Sequence, residues 1–292
     1  MALNFFASLK QAISNLNPQD IRDQVERPLR IGLHASSEGS FRQMEEFFLP
    51  KRVSEAKRLE LNGVFVRAAN GQSHDLDIYA PELSRPPYAF SFSPAYLDRM
   101  IREIITRRQD LSLILARNVY PFRDPVVRWI IAKISRENAL FSLATAIPDV
   151  VPLISLPWAV GEFASDTVVL TANQFRMAFF LAAASDRPIG YREQKAEIAS
   201  IFAGAFGWRA IARELVGKIP LGGGLLPKAA IAYAGTRVVG MSIERYYRIG
   251  YGYTEEERRL AYEKAVGRGK TIAGAVITGI KQGSLRAVRR TT

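Results

Sequence analysis

Two neighbouring stretches of this chain, residues 140–161 and 163–184, run almost without charge over a length that matches the roughly 20 apolar residues needed to cross a bilayer. The first carries only Asp149, the second only Asp166 and Arg176. Such segments either enter a membrane or form the interior of a helical bundle. Pro148, Pro152 and Pro157 interrupt the first, so a broken or re-entrant hairpin, or a loop buried between helices, fits better than a straight span. In the second, Asp166 and Arg176 stand roughly 15 Å apart along a helix and cannot pair with each other. Thr171, Asn173 and Gln174 add polarity. The segment is apolar enough to enter a membrane within an assembly and polar enough to be a buried helix of a soluble bundle.

Charge follows the same division. Residues 1–125 hold 17 Lys/Arg against 15 Asp/Glu, whereas 126–292 hold 23 against 13, which is most of the net +12. The basic half is also the apolar half. That co-location predicts attraction to anionic lipid headgroups and argues against nucleic acid, whose binders set basic residues on a polar face among aromatic platforms. Cysteine is absent, which excludes disulfides, thiolate metal sites and cysteine nucleophiles, and His34 and His74 are the only histidines.

Leu3, Phe6, Leu9, Ile13 and Leu16 fall at helical spacing, interrupted by Asn4, Ser8, Lys10 and Gln11. The pattern predicts an amphipathic helix, docked on the protein's own core or lying in the headgroup plane, and not a signal peptide.

Residues 28–117 alternate in type. Strands are expected over 29–34, 63–67, 74–79, 88–92 and 111–116, with helices over 41–49 and 94–108. This is the grammar of a small sheet flanked by helices. The loop after the first strand, Ala35 to Ser40, invites a phosphate reading, with Gly39 and Ser40 as candidate nucleotide-binding residues. A phosphate loop, however, needs G-x-x-x-x-G-K-[ST], and no lysine stands here. Ala80, Pro81 and Glu82 occupy the place where a GTPase carries its γ-phosphate-sensing glycine. No cofactor is therefore expected, GTP or another nucleotide being the alternative, and no catalytic residue is assigned. His74 with Asp75 and Asp77 reads as a turn hydrogen bond at a strand start, and no metal site is assigned.

The second half reads as helices over 126–140, 194–216 and 229–248. Ala199, Ala203 and Gly207 repeat at four-residue intervals, and Ala230, Ala234, Gly235 and Gly240 form a second small face, suited to close helix approach or self-association. The glycines between Lys218 and Lys228 are expected to turn the chain between antiparallel helices. Four motifs in order, Ala-Ile-Pro-Asp at 146–149, Asn-Gln-Phe-Arg-Met at 173–177, Lys-Ile-Pro-Leu-Gly-Gly-Gly at 218–224 and Ala-Gly-Thr-Arg-Val-Val-Gly at 234–240, resemble the YcjF-type bacterial domain. The resemblance covers about 126–250. It implies a membrane-associated domain of unknown function that commonly follows an Era-like GTPase domain, here a degenerate one, and it supplies no catalytic residues.

Thr254 and Glu257 form a capping box opening a helix that is expected to stop at Gly267 and Gly269, followed by a short helix over 272–280 and a basic tail. The organisation expected is an N-terminal helix and linker at 1–27, a degenerate P-loop-GTPase-like α/β domain at 28–125, an apolar all-α YcjF-type domain at 126–250 and a basic helical arm at 251–292. The function expected is a non-enzymatic adaptor on the cytoplasmic side of the bacterial inner membrane, touching anionic lipid and a protein partner. The alternatives are a nucleotide-binding enzyme with an aberrant loop and a soluble helical scaffold.

Overall fold

A computed structural model of the chain describes residues 2–68, 72–145, 166–199, 201 and 225–291. The expected hairpin at 140–161 therefore lies largely outside the described residues, as do most of the helix at 194–216, with Ala203 and Gly207, and the glycine turn at 218–224. The chain packs as two compact units, one of Pro18–Trp129 with Ala182–Ile189, the other of Met1–Asn17, Ile130–Leu181 and Gly190–Thr292.

The first unit is built on four parallel strands in the order β2-β1-β3-β4, namely β1 (Ile31–His34), β2 (Phe65–Arg67), β3 (Leu76–Tyr79) and β4 (Phe90–Ser91). Alternation along β1 and β3 sends Ile31, Leu33, Leu76 and Ile78 into the core, each no more than 2% exposed, and leaves Gly32, His34, Asp77 and Tyr79 on the opposite face. The core gathers Met44 and Phe48 of α3 (Glu38–Phe48), and Phe48 lies 5.7 Å from Phe65 and 6.4 Å from Phe122 by ring centroids. Helix α1 (Ala2–Ser14) belongs to the other unit, and α2 (Pro18–Val25) and α4 (Glu55–Glu60) are short. In α5 (Leu97–Arg107) Ile101, Ile104 and Ile105 of the expected apolar side are buried, joined by Met100, while Leu97 is only half-buried.

The expected strand at 111–116 is a helix instead, α6 (Ser112–Asn118). Leu111, Ile114, Leu115 and Ala116 are all fully buried, and the Ser112 hydroxyl donates to the Arg108 carbonyl one turn back. A short run buried on every side carries no period that separates helix from strand. Helix α7 (Tyr120–Ala144) starts earlier than expected, with Pro125 inside it. Pro121 sits at its second position, where a missing N–H costs nothing.

In the helical unit, α8 (Asp166–Ala184) is the second low-charge stretch. It is the one helix among the described residues long and apolar enough to cross a membrane, over Thr167–Ala184, and 78% of that window is buried. Helices α9 (Leu225–Ile249) and α10 (Glu255–Thr291) form a hairpin whose corner uses Gly250 at φ +86°. Ala230, Ala234 and Val238 pack against Tyr262, Ala265 and Val266. The capping box is present, the Thr254 N–H donating to Glu257 Oε2 at 2.9 Å and the Glu257 N–H to Thr254 Oγ1 at 3.3 Å. Gly267 and Gly269 do not end the helix, which runs through both. A Cβ on Gly269 would meet the Ala230 Cα at 2.8 Å, so this glycine serves close helix packing. At the N-terminus Leu9 and Leu16 are buried, and the Tyr191 hydroxyl lies 2.8 Å from the Ile13 carbonyl and 2.6 Å from that of Leu16.

Candidate functional site

In a parallel sheet wound outward from its middle, ligands bind beyond the carboxyl ends of the two strands where the winding reverses. Here those strands are β1 and β3. The residues at that point are His34 and Tyr79 at the strand ends, the loop Ala35 to Ser37, the first turn of α3 and the turn at Ala80 to Glu82. The Ala80 N–H donates to the His34 carbonyl, and the Leu83 N–H closes the turn on the Ala80 carbonyl.

Ser37 caps α3, its hydroxyl accepting from the Ser40 N–H at 3.1 Å. Gly39 and Ser40 thus lie in the first helical turn rather than in a loop. A Cβ on Gly39 would meet only the Ser37 hydroxyl at 3.9 Å, so nothing local requires glycine there. The Ser40 hydroxyl donates to Glu82 Oε1 at 2.9 Å, and the Ser36 hydroxyl donates to the same oxygen at 2.6 Å. The Ser36 bond, then Glu82's own backbone and Ser40, hold this carboxyl below the ordinary glutamate range. Glu38 is engaged elsewhere, with Arg42 Nε at 2.9 Å and Arg67 at 3.1 Å.

A second constellation lies on the polar face of the same two strands. His34 Nε2 and His74 Nδ1 approach one oxygen, Asp77 Oδ1, at 2.8 and 2.9 Å. The His74 side chain is 2% exposed, those of His34 and Asp77 24% and 22%. The His34 ring stacks on Tyr79 at 3.9 Å between centroids, within 6° of parallel. Burial and the neighbouring Asp77 push the Tyr79 phenol above its ordinary range. Beneath the cluster, a Cβ on Gly32 would fall 2.5 Å from His74 Nδ1 and 2.8 Å from Asp77 Oδ1, so the glycine makes the room. Sequence reasoning paired His74 with its neighbouring aspartates but missed His34. The strand period places His34 and Asp77 on faces of separate strands, and only the β1–β3 register, Gly32 opposite Asp77, joins them.

Asp75 does not join this group. It meets Arg27 at 2.9 Å and the Arg30 N–H at 2.9 Å, while Arg108 donates to its carbonyl. Burial raises the Asp75 carboxyl, but the Arg30 N–H and the Arg27 and Arg108 guanidinium charges outweigh it and hold it below the usual carboxylate range.

In the helical unit the polar residues of α8 are gathered inward. Asn138 Nδ2 donates to Thr236 Oγ1 at 2.7 Å, and Asn173 Nδ2 donates to Asn138 Oδ1 at 2.8 Å, all three residues being fully buried. Arg176 finds Glu137 of α7 at 3.2 Å and lies over the Phe180 ring at 4.9 Å. Its partner stands on another helix.

Comparisons with family models, with curated proteins and with solved structures return no match. What the fold itself defines is a mixed α/β chain with a small four-stranded parallel sheet and a helical unit.

Proposed function

We propose that this protein is a non-enzymatic, membrane-associated adaptor, in which a degenerate GTPase-like α/β unit accompanies a YcjF-type helical unit. The observation that carries the reading is the Glu82 carboxylate held by both Ser36 and Ser40 at the first turn of α3. A helix N-terminus beyond the first strand is where a nucleotide-binding sheet receives phosphate. Here the chain supplies its own anion to that position, and no lysine lies in the loop to neutralise an incoming one. Phosphoryl transfer depends on that lysine and on a magnesium ion held by a serine or threonine. Loss of one such stabilising group costs several kcal/mol in the transition state. With Ser40 engaged by a carboxylate and the lysine missing, no useful turnover follows.

Titration with GTP or ATP and magnesium tests this half of the proposal. The expected result is no thermal stabilisation at millimolar nucleotide and no hydrolysis above background. Gly39→Lys is expected to restore nothing, because the first turn of α3 also lacks the geometry of the loop. Turnover abolished by Ser40→Ala would overturn the reading in favour of an active nucleotide-binding enzyme.

Support for the membrane half comes from the basic excess of residues 126–292 and from the apolar window of α8, whose polar side chains find partners within the helical unit. Lipid on the cytoplasmic side of the bacterial inner membrane is the proposed partner. The 78% burial of that window favours a second reading, a soluble helical scaffold in which α8 is simply core. Flotation with phosphatidylglycerol vesicles, set against phosphatidylcholine vesicles, separates the two. Co-flotation with the anionic vesicles is expected. Protein that stays at the bottom of both gradients, monodisperse without detergent, would establish the scaffold.

A further inference from the structure

We propose that His34, His74 and Asp77 bind a divalent first-row transition cation, with zinc the ion that best suits the donor set. Two imidazole nitrogens and one carboxylate oxygen are ligands that zinc takes readily, and three protein ligands leave a fourth tetrahedral position for water or another donor. Magnesium and calcium, which demand oxygen-rich shells, are poorly served by the same trio. The inference goes beyond the adaptor reading and does not depend on it.

Convergence is the first argument. The three donor atoms lie within 4.8 Å of one another. Both imidazoles already address Asp77 Oδ1, donating to it at 2.8 and 2.9 Å, so once the ring protons shift to the far nitrogens the two donor atoms face a shared centre. Zinc bonds of 2.0–2.1 Å in a tetrahedron set neighbouring donors roughly 3.3 Å apart. The two nitrogen–oxygen pairs therefore need to open by about half an ångström, while the two nitrogens, within 4.8 Å of each other, have to settle at that same spacing, movements open to the partly exposed His34 and Asp77 side chains. On loading, each ring's proton moves from the nitrogen that faced Asp77 to the other ring nitrogen, so the imidazoles bind the ion as neutral ligands and release no proton.

Support is the second argument. His34 and Asp77 belong to the two central strands, hydrogen-bonded in register, and the ladder rather than a loop sets their separation. His74 is the buried member: Asp77 and the packing over Gly32 hold its ring, and its Nε2 meets no partner among the described residues. The room for the cluster comes from Gly32, whose missing side chain is replaced in space by the His74 ring and the Asp77 carboxylate.

Composition makes the test unusually clean. The chain has no cysteine and only these two histidines, so a metal signal that depends on imidazole reports on this site alone. Tag-free, metal-stripped full-length protein is titrated calorimetrically with zinc, and separately with cobalt while visible absorption is followed. Histidine proton–nitrogen spectra are recorded in parallel. The expected outcome is one ion per chain, shifts of both imidazoles, and zinc-dependent thermal stabilisation that magnesium does not reproduce. His34→Ala and Asp77→Asn are each expected to weaken zinc binding at least about tenfold. Both sites are partly exposed, and far-UV circular dichroism checks that the variants fold. Absence of zinc binding by the wild-type protein, or binding that either variant leaves unchanged, would overturn the proposal. Neither readout involves nucleotide or vesicles, so its failure would leave the adaptor reading where it stands.

Discussion

Gly269 of α10 lies against the backbone of Ala230 on α9, so close that a Cβ on the glycine would fall 2.8 Å from the alanine Cα and 2.9 Å from its carbonyl oxygen. Backbone cannot step aside as a flexible side chain does, and the two helices would have to separate. Two residues earlier, Gly267 faces open space. Gly269→Leu is expected to destabilise the protein by about 1–3 kcal/mol through overpacking. Gly267→Ala is expected to be neutral or to stabilise by up to about 1 kcal/mol, since alanine is the better helix former. Urea denaturation of the two variants checks the opposite signs.

Asn138 joins two helices at once, donating to Thr236 and accepting from Asn173 in a region closed to water. Asn138→Ala is expected to cost about 1–3 kcal/mol, because the amide of Asn173 is left without that acceptor. Pairing it with Asn173→Leu removes the stranded donor. A double-mutant cycle by thermal unfolding is expected to return a coupling of about 0.5–3 kcal/mol, with the pair costing less than the sum of the singles.

Gly39 distinguishes a helix from a phosphate loop. With only the Ser37 hydroxyl near its missing Cβ, at 3.9 Å, it has no steric reason to be glycine. Gly39→Ala is expected to raise stability by up to about 1 kcal/mol, whereas a glycine that cradles phosphate does not tolerate the change. Thermal unfolding of the variant checks the direction.

Asp75 is one carboxylate through which stability depends on acid. Its folded pKa is depressed below the ordinary value of 3.8, so its contribution is fully present above that pH. As pH falls through the lower folded value the native state must take up the proton, and the contribution is lost. Asp75→Asn is therefore expected to lower stability at pH 7, and the difference from wild type is expected to shrink as pH falls below 3.8 and through the lower folded value. Unfolding midpoints measured across that range check the convergence.

Local order was legible in the chain. The apolar run at 29–34 and the strand expected at 74–79 announced β1 and β3, Leu97, Ile101, Ile104 and Ile105 on one side of 94–108 announced α5, and Thr254 with Glu257 announced the start of α10. Each of these depends on neighbours within a turn or a pleat, and a period or a cap records them directly. Where a residue's neighbours are distant in sequence, the pattern fell silent. The run at 111–116 is buried on every side, so it has no period, and packing alone made it a helix. Gly269 carries the same local signal as a helix stop, yet the facing Ala230 turns it into a contact.

The sites divide in the same way. Ser40 and Gly39 were visible as a strand–turn–helix junction, and His74 with Asp77 as neighbours three apart. What the sequence by itself determined was the set of donors available to this protein: two histidines, no cysteine, and a loop without lysine. Tertiary structure alone decided which of them meet, bringing Glu82 to Ser40, Glu137 to Arg176 and His34 to Asp77 across separations that no local period spans. The reason is physical. Chain connectivity sets spacing only along one element, while strand register and helix packing set it between elements.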